Sequence, residues 1–240
     1  MKRPLALGLA LLCTWVLPVQ AQQIDRYVET IIVNGSGNGQ VHIAIELPAG
    51  WSAPLRLPIV ASRPTDLSIG GGADETASIE SREGRTWIAL MPGAPDPAPT
   101  TLVVSYRNEA VVDMAGPPLA HGVRRVRSAF VNTTGATING FERTVVLAAG
   151  FVVASVDEVV PAATESTVGQ AYELGARNGS TSVTVRAKTL ASGGTAGATI
   201  RFKPRASPLP LLGVLTLVAA AYLYRFRDLV ARTAPAASLA

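Results

Sequence analysis

The chain has 240 residues, with 21 Lys or Arg, 17 Asp or Glu, two His and one Cys. So few His and Cys leave no basis for a clustered Cys/His metal site or for thiol chemistry. The basic surplus belongs to the two ends, because residues 22–205 hold 16 cations and 16 anions, and a neutral middle has no electrostatic reason to bind nucleic acid.

At the N-terminus, Lys2 and Arg3 precede the apolar run "PLALGLALLCTWVLP" and the small residues Val19 and Ala21. This is the layout of a secretory signal peptide, residues 1–21, with cleavage expected after Ala21. An uncleaved signal anchor is the competing reading, but the run is short and stops at Pro18. Cys13 lies within it, so the mature chain is expected to contain neither thiol nor disulfide.

The next signal is "VNGSGNGQVHIAIELPAGW", Val33 to Trp51, an Asn/Gly turn followed by alternation. Val41, Ile43, Ile45 and Leu47 share one face, while His42, Ala44 and Glu46 take the other, as in a half-buried strand. A second stretch, "VNTTGATINGFERTVVLAAGF", Val131 to Phe151, echoes it at an offset of 98 residues at the first asparagine and 100 at Gly50 and Gly150. There Phe141, Arg143 and Val145 alternate less cleanly with Glu142, Thr144 and Val146, which predicts a strand covered on both sides or lying beside the other module. Thr86–Arg107 and Thr181–Lys203 echo each other too, each reading as strand, Pro- or Gly-rich loop, strand. A period of this kind signals duplicated modules.

Short strands, frequent turns and many Val and Thr residues predict an all-β ectodomain of two tandem immunoglobulin-like antiparallel β-sandwiches. Module 1 is placed at 22–114, a linker "AGPP" at 115–118 and module 2 at 119–205. The pattern Val-Asn-x-Ser/Thr-Gly, a spacer, an alternating strand and then Leu-Pro-Ala-Gly-Trp resembles bacterial immunoglobulin-like modules of the α-galactosidase-associated and cell-adhesion-related types. The second copy departs from it at Ala148 and Phe151. The resemblance implies the sandwich fold; for function it implies only the spacer, adhesion and accessory roles such modules serve.

Candidates for chemistry are sparse, and no catalytic, cofactor-binding or metal residue is assigned. His42 and His121 fall on different modules, and no G-x-S-x-G elbow occurs. Asp157 with Glu158, and Asp74 with Glu75, are adjacent carboxylates that a regular strand points to opposite faces. "GGGADETASIE", Gly70 to Glu80, lacks the oxygen cage calcium needs. Three sequons, at Asn34, Asn132 and Asn178, are read as turn chemistry before glycosylation. "GVRRVRSAF", Gly122 to Phe130, is the one basic cluster and the interaction-patch candidate: Arg125 and Arg127 share a face, and Arg124 takes the other. Its occupant is an acidic partner or anionic lipid, set against a solvated, charge-protected edge strand.

Finally, Ala206 to Tyr224 carries no charge for 19 residues, which as a helix rises roughly 28 Å and crosses a hydrocarbon core of about 30 Å. It is predicted as a transmembrane helix, 206–224, with Tyr222 and Tyr224 at the interface, Arg225, Arg227 and Arg232 behind it, and a cytoplasmic tail at 225–240. A buried core helix and a removable sorting signal are the alternatives. The expectation is a non-enzymatic protein of the bacterial cytoplasmic membrane, single-pass, with its ectodomain periplasmic or extracellular. Its partners are the bilayer and an envelope protein, with no cofactor and no nucleic acid. The alternative is a carbohydrate-binding or adhesion module, for which Trp51 and Trp87 are the available aromatics.

Overall fold

The computed structural model describes residues 22–59, 64–71, 76–82, 85–91, 96–109, 111–114, 122–160, 171–205 and 209–233. The expected signal peptide and linker, together with His121, Asp74 and Glu75, lie outside these residues.

The elements in chain order are β1 (Gln23–Ile24), β2 (Arg26–Val33), β3 (Gly39–Leu47), β4 (Leu55–Ile59), β5 (Pro64–Gly70), β6 (Thr76–Arg82), β7 (Arg85–Met91) and β8 (Thr100–Asn108). They continue with β9 (Val112–Met114), β10 (Arg124–Val131), β11 (Thr137–Leu147), β12 (Phe151–Val160), β13 (Tyr172–Arg177), β14 (Ser180–Leu190), β15 (Thr195–Pro204) and α1 (Leu209–Thr233). The described chain is therefore mostly β-structure with one C-terminal apolar helix.

The strands form three sheets. The largest runs β13-β14-β11-β2-β3-β8-β5, with β1 also on β11; a four-stranded sheet runs β12-β15-β10-β9; a three-stranded sheet runs β4-β7-β6. The alternation on β3 places Val41, Ile43, Ile45 and Leu47 in the core, as its period of two requires. The less regular β11 lies beside β2, and the two pair in parallel from Tyr27 opposite Phe141 to Val33 opposite Leu147. One sheet thus passes through both halves of the sequence.

Above that junction Phe130 of β10 packs with ring centroids 4.9 Å from both Tyr27 and Phe141, which themselves stack at 5.5 Å. Burying each such ring stabilises by about 1.5–3 kcal/mol, so this triad is a main tie between the four-stranded sheet and the large one.

The pairing pattern recurs along the chain. The arrangement β2-β3-β8-β5 with β4-β7-β6 has the same chain-order logic as β9-β10-β15-β12 with β11-β14-β13. The matching fourth strands both carry a bulge with an acidic residue at positive φ, Asp66 (54°) on β5 and Glu158 (52°) on β12. This recurrence sets β3 against β10, one strand out of step with the Val-Asn echo. Likewise β9, which falls within 22–114, pairs with β10.

The echoed turns differ for the same reason. Asn34 closes a hairpin between β2 and β3, its backbone N–H donating to the Asn38 carbonyl at 2.9 Å. Asn132 turns a corner instead, because β10 and β11 belong to different sheets. Its backbone bonds go to the loop between β14 and β15, through Gly194 at 2.9 Å and Gly193 at 2.8 Å.

After β15 four residues lead to α1. Pro210 sits in the helix's first turn, where the missing N–H costs nothing. Leu209–Arg227 is long and apolar enough to cross a membrane, and none of it is covered by the sheets. The helix extends past the expected end at Tyr224 to Thr233, since Arg225 and Arg227 are good helix formers and the next breaker is Pro235.

Candidate functional site

The outer face of the four-stranded sheet carries an open cleft of about 280 Å³. Its floor is a backbone necessity: Gly197 on the central strand β15 has φ 154°, and a Cβ there would fall inside the Ser128 carbonyl oxygen. One wall is β10, with Arg127 and Val131; the other is the bulged end of β12, with Glu158 and Val160. Val131 and Val160, the last residues of β10 and β12, are 41% and 42% exposed and add apolar surface to the cleft.

The bulge also alters the carboxylate geometry expected of a regular strand. Register slips between Asp157 and Val160 opposite Thr199 and Gly197, and Glu158 adopts the left-handed conformation. Glu158 then accepts a hydrogen bond from the Thr199 hydroxyl at 2.7 Å, while Asp157 pairs with Arg201 at 3.1 Å. Thr199 and Arg201 share a face, so both carboxylates reach the same side of the sheet, because a bulge breaks the two-residue alternation. Each is already held by a neighbour.

The three arginines of the basic cluster have separate environments. Arg124 donates to the Gly35 carbonyl at 2.9 Å and lies 5.3 Å from the centre of the Phe151 ring. Arg125 meets Asp113 at 3.6 Å, with its Nε buried and unpartnered. Arg127 is exposed in the cleft and makes no ion pair with a described residue. The strand alternation separates Arg124 from the other two as the sequence implied, and it leaves Arg127 as the cation open to a ligand.

A second polar constellation was not singled out in the sequence. Glu29 of β2 and Arg143 of β11 form an ion pair at 3.0 Å with side chains only 3% and 1% exposed. The Tyr27 hydroxyl donates to the other Glu29 oxygen at 3.2 Å, whereas Arg143 Nε and Nη1 have no protein partner. Burial holds the Glu29 carboxyl above its ordinary range, with Arg143 and Tyr27 pulling it part of the way back. Burial likewise raises the Tyr27 and Tyr106 hydroxyls. The available signal was one charge of each sign on an apolar face, Glu29 between Tyr27 and Ile31 and Arg143 between Phe141 and Val145. The group is buried, and none of its side chains lines the cleft beside Gly197.

The remaining sequence candidates are dispersed. His42 is half-buried on β3 between Thr30 and Ser105. Trp51 is 8% exposed and donates its indole N–H to the Ala53 carbonyl at 2.8 Å. Trp87 is half-buried on β7 beside Glu80, which pairs with Arg56 at 3.5 Å. Asn132 is buried, its amide donating to the Ala136, Leu190 and Ala191 carbonyls at 2.8–3.1 Å, so the folded chain has no room for a glycan there. Asn178 (φ 51°) and Gly179 (77°) make the primed turn between β13 and β14. No group of three or more His, Cys, Asp or Glu suited to a metal ion occurs among the described residues.

No known family matches the chain, and no curated protein does. Solved structures give distant likenesses. The M1 zinc metallopeptidase from Deinococcus radiodurans aligns at 13% identity and a TM-score of 0.39, over 77% of this chain and 42% of its own. Leukotriene A4 hydrolase from Saccharomyces cerevisiae aligns at 9% identity and a TM-score of 0.42, over 75% of this chain and 29% of its own. The chain thus spans less than half the length of either.

Proposed function

We propose that this chain is a non-enzymatic, membrane-anchored envelope protein that holds a protein partner, acting as an accessory subunit of a membrane complex. Its two halves are tandem immunoglobulin-like β-sandwich modules, a reading favoured by the recurring strand order. Its helix spans the bacterial cytoplasmic membrane, with the sheets on the periplasmic or extracellular side and the C-terminus cytoplasmic.

One observation carries the partner-binding reading: the cleft beside Gly197, where the free cation Arg127 stands next to exposed Val131 and Val160. A surface combining a desolvatable apolar centre with a peripheral charge suits a protein partner. It suits a sugar less well, since Trp51 is buried and provides no stacking platform.

A photoreactive amino acid at Val160, in the full chain in its native membrane, tests this. A discrete protein adduct is expected, reduced by Arg127→Glu and absent when the probe sits at Glu46. Recovery of free monomer alone, under several mild solubilisation conditions, would sink the proposal.

A further inference from the structure

We infer that the helix-proximal end of the four-stranded sheet is a docking surface for anionic phospholipid headgroups, with Arg124, Lys203 and Arg205 as the contacting cations. This rests on the membrane anchoring proposed above.

The placement follows from chain length and pairing. Arg205 and Leu209 are separated by three residues, so their Cα atoms lie at most about 15 Å apart. The exit point is fixed, because the Arg205 backbone N–H donates to the Gly150 carbonyl at 2.7 Å. Arg124 stands opposite Phe202 in the β10–β15 register, and Phe151 stands opposite Pro204, so Arg124, Lys203 and Arg205 all gather where the chain leaves for the helix. The tether holds this end within about two Debye lengths of the helix start at physiological ionic strength.

The charge at this end is available. Arg201 and Arg125, the next cations up the sheet, are paired with Asp157 and Asp113. Lys203 and Arg205 are exposed and make no ion pair with a described residue, and the protein group Arg124 binds is a neutral carbonyl. The turns at the same end, Asn34–Asn38 and Asn178–Gly179, contain no carboxylate. Among the described acids at this end, Asp113 and Asp66 pair with Arg125 and Arg107, and exposed Glu109 is outnumbered by the three cations. Juxtamembrane cations bind an anionic leaflet with about fivefold gain each at low salt.

The test uses the full chain in nanodiscs of phosphatidylcholine, with or without phosphatidylglycerol bearing a photoreactive headgroup. Adducts should map to residues 122–125 and 201–205. Lys203→Gln/Arg205→Gln should lower them by about 25-fold, added salt should weaken them, and Arg56→Gln should leave them unchanged. If the chain resists carbonate extraction from neutral vesicles but labels only at its C-terminal flank, or equally in the double variant, this inference is overturned and the anchor stands. If carbonate releases the chain, the anchor fails and the headgroup surface with it. Unchanged thermal unfolding of the double variant confirms that its sheets are intact.

Discussion

Glu29 and Arg143 stand opposite each other in the parallel register of β2 and β11, Oε1 3.0 Å from Nη2, with neither side chain reaching solvent. Removing one partner leaves a buried charge without compensation. Glu29→Gln should destabilise the chain by about 3–5 kcal/mol, measured by urea unfolding in detergent. The pair Glu29→Leu/Arg143→Met should fall near the wild type or above it, since hydrophobic replacement of a buried pair is often neutral or gains about 1–4 kcal/mol. A Gln variant as stable as the wild type would mean that the two charges are not coupled.

The same group predicts a pH dependence. Because burial raises the folded Glu29 carboxyl, the folded chain keeps this proton over a range where the unfolded chain has lost it. Its contribution is complete below the unfolded value of about 4.3 and declines as pH rises through the raised folded value. The stability of the wild type minus that of Glu29→Leu/Arg143→Met should therefore fall with rising pH in that window. A difference that rises instead would make Arg143, not burial, the dominant influence.

Asn34 and Asn132 occupy echoed positions with unequal duties. Asn34 accepts from the Ser36 and Asn38 backbone N–H groups in an exposed turn. Asn132 instead satisfies three carbonyls from a buried position, those of Ala136 and Leu190 in buried bonds and that of Ala191 in a part-buried one. Asn34→Ala should cost about 1 kcal/mol and Asn132→Ala about 3 kcal/mol or more. Equal losses in thermal unfolding would remove the distinction between hairpin and corner.

Gly197 and Gly193 both have positive φ, yet their surroundings differ. Gly193 has no atom within 4 Å of an added Cβ, so Gly193→Ala should cost about 1–2 kcal/mol. Gly197→Ala must displace the β10 backbone, at a cost of about 4 kcal/mol or more, and should abolish adduct formation at Val160. A folded Gly197→Ala chain with full labelling would show that the cleft floor tolerates a side chain.

The sequence revealed what local physics determines. The alternation from Val41 to Leu47 identified a strand and its buried face, and nineteen uncharged residues identified the apolar helix. Pairing across the chain was less legible. Nothing in the periodicity of Tyr27–Val33 states that its neighbour is Phe141–Leu147, and parallel partners need no shared turn to betray them. The cleft was hidden for another reason: Gly197 reads as an ordinary loop glycine in "SGGTAGATI", and Glu158 as a carboxylate that a regular strand points away from Asp157. Only the bulge brings Glu158, Thr199 and Arg127 to one face.

The parallel seam between β2 and β11 bears on how such a protein can change over time. A half excised at 115–118 would leave with an unsealed strand edge and with one member of a buried ion pair, whichever side of the cut it came from. Neither half is therefore a bead that can be lent to another polypeptide. The smallest inheritable unit is the couple, and substitutions at Glu29 and Arg143 are bound to travel together.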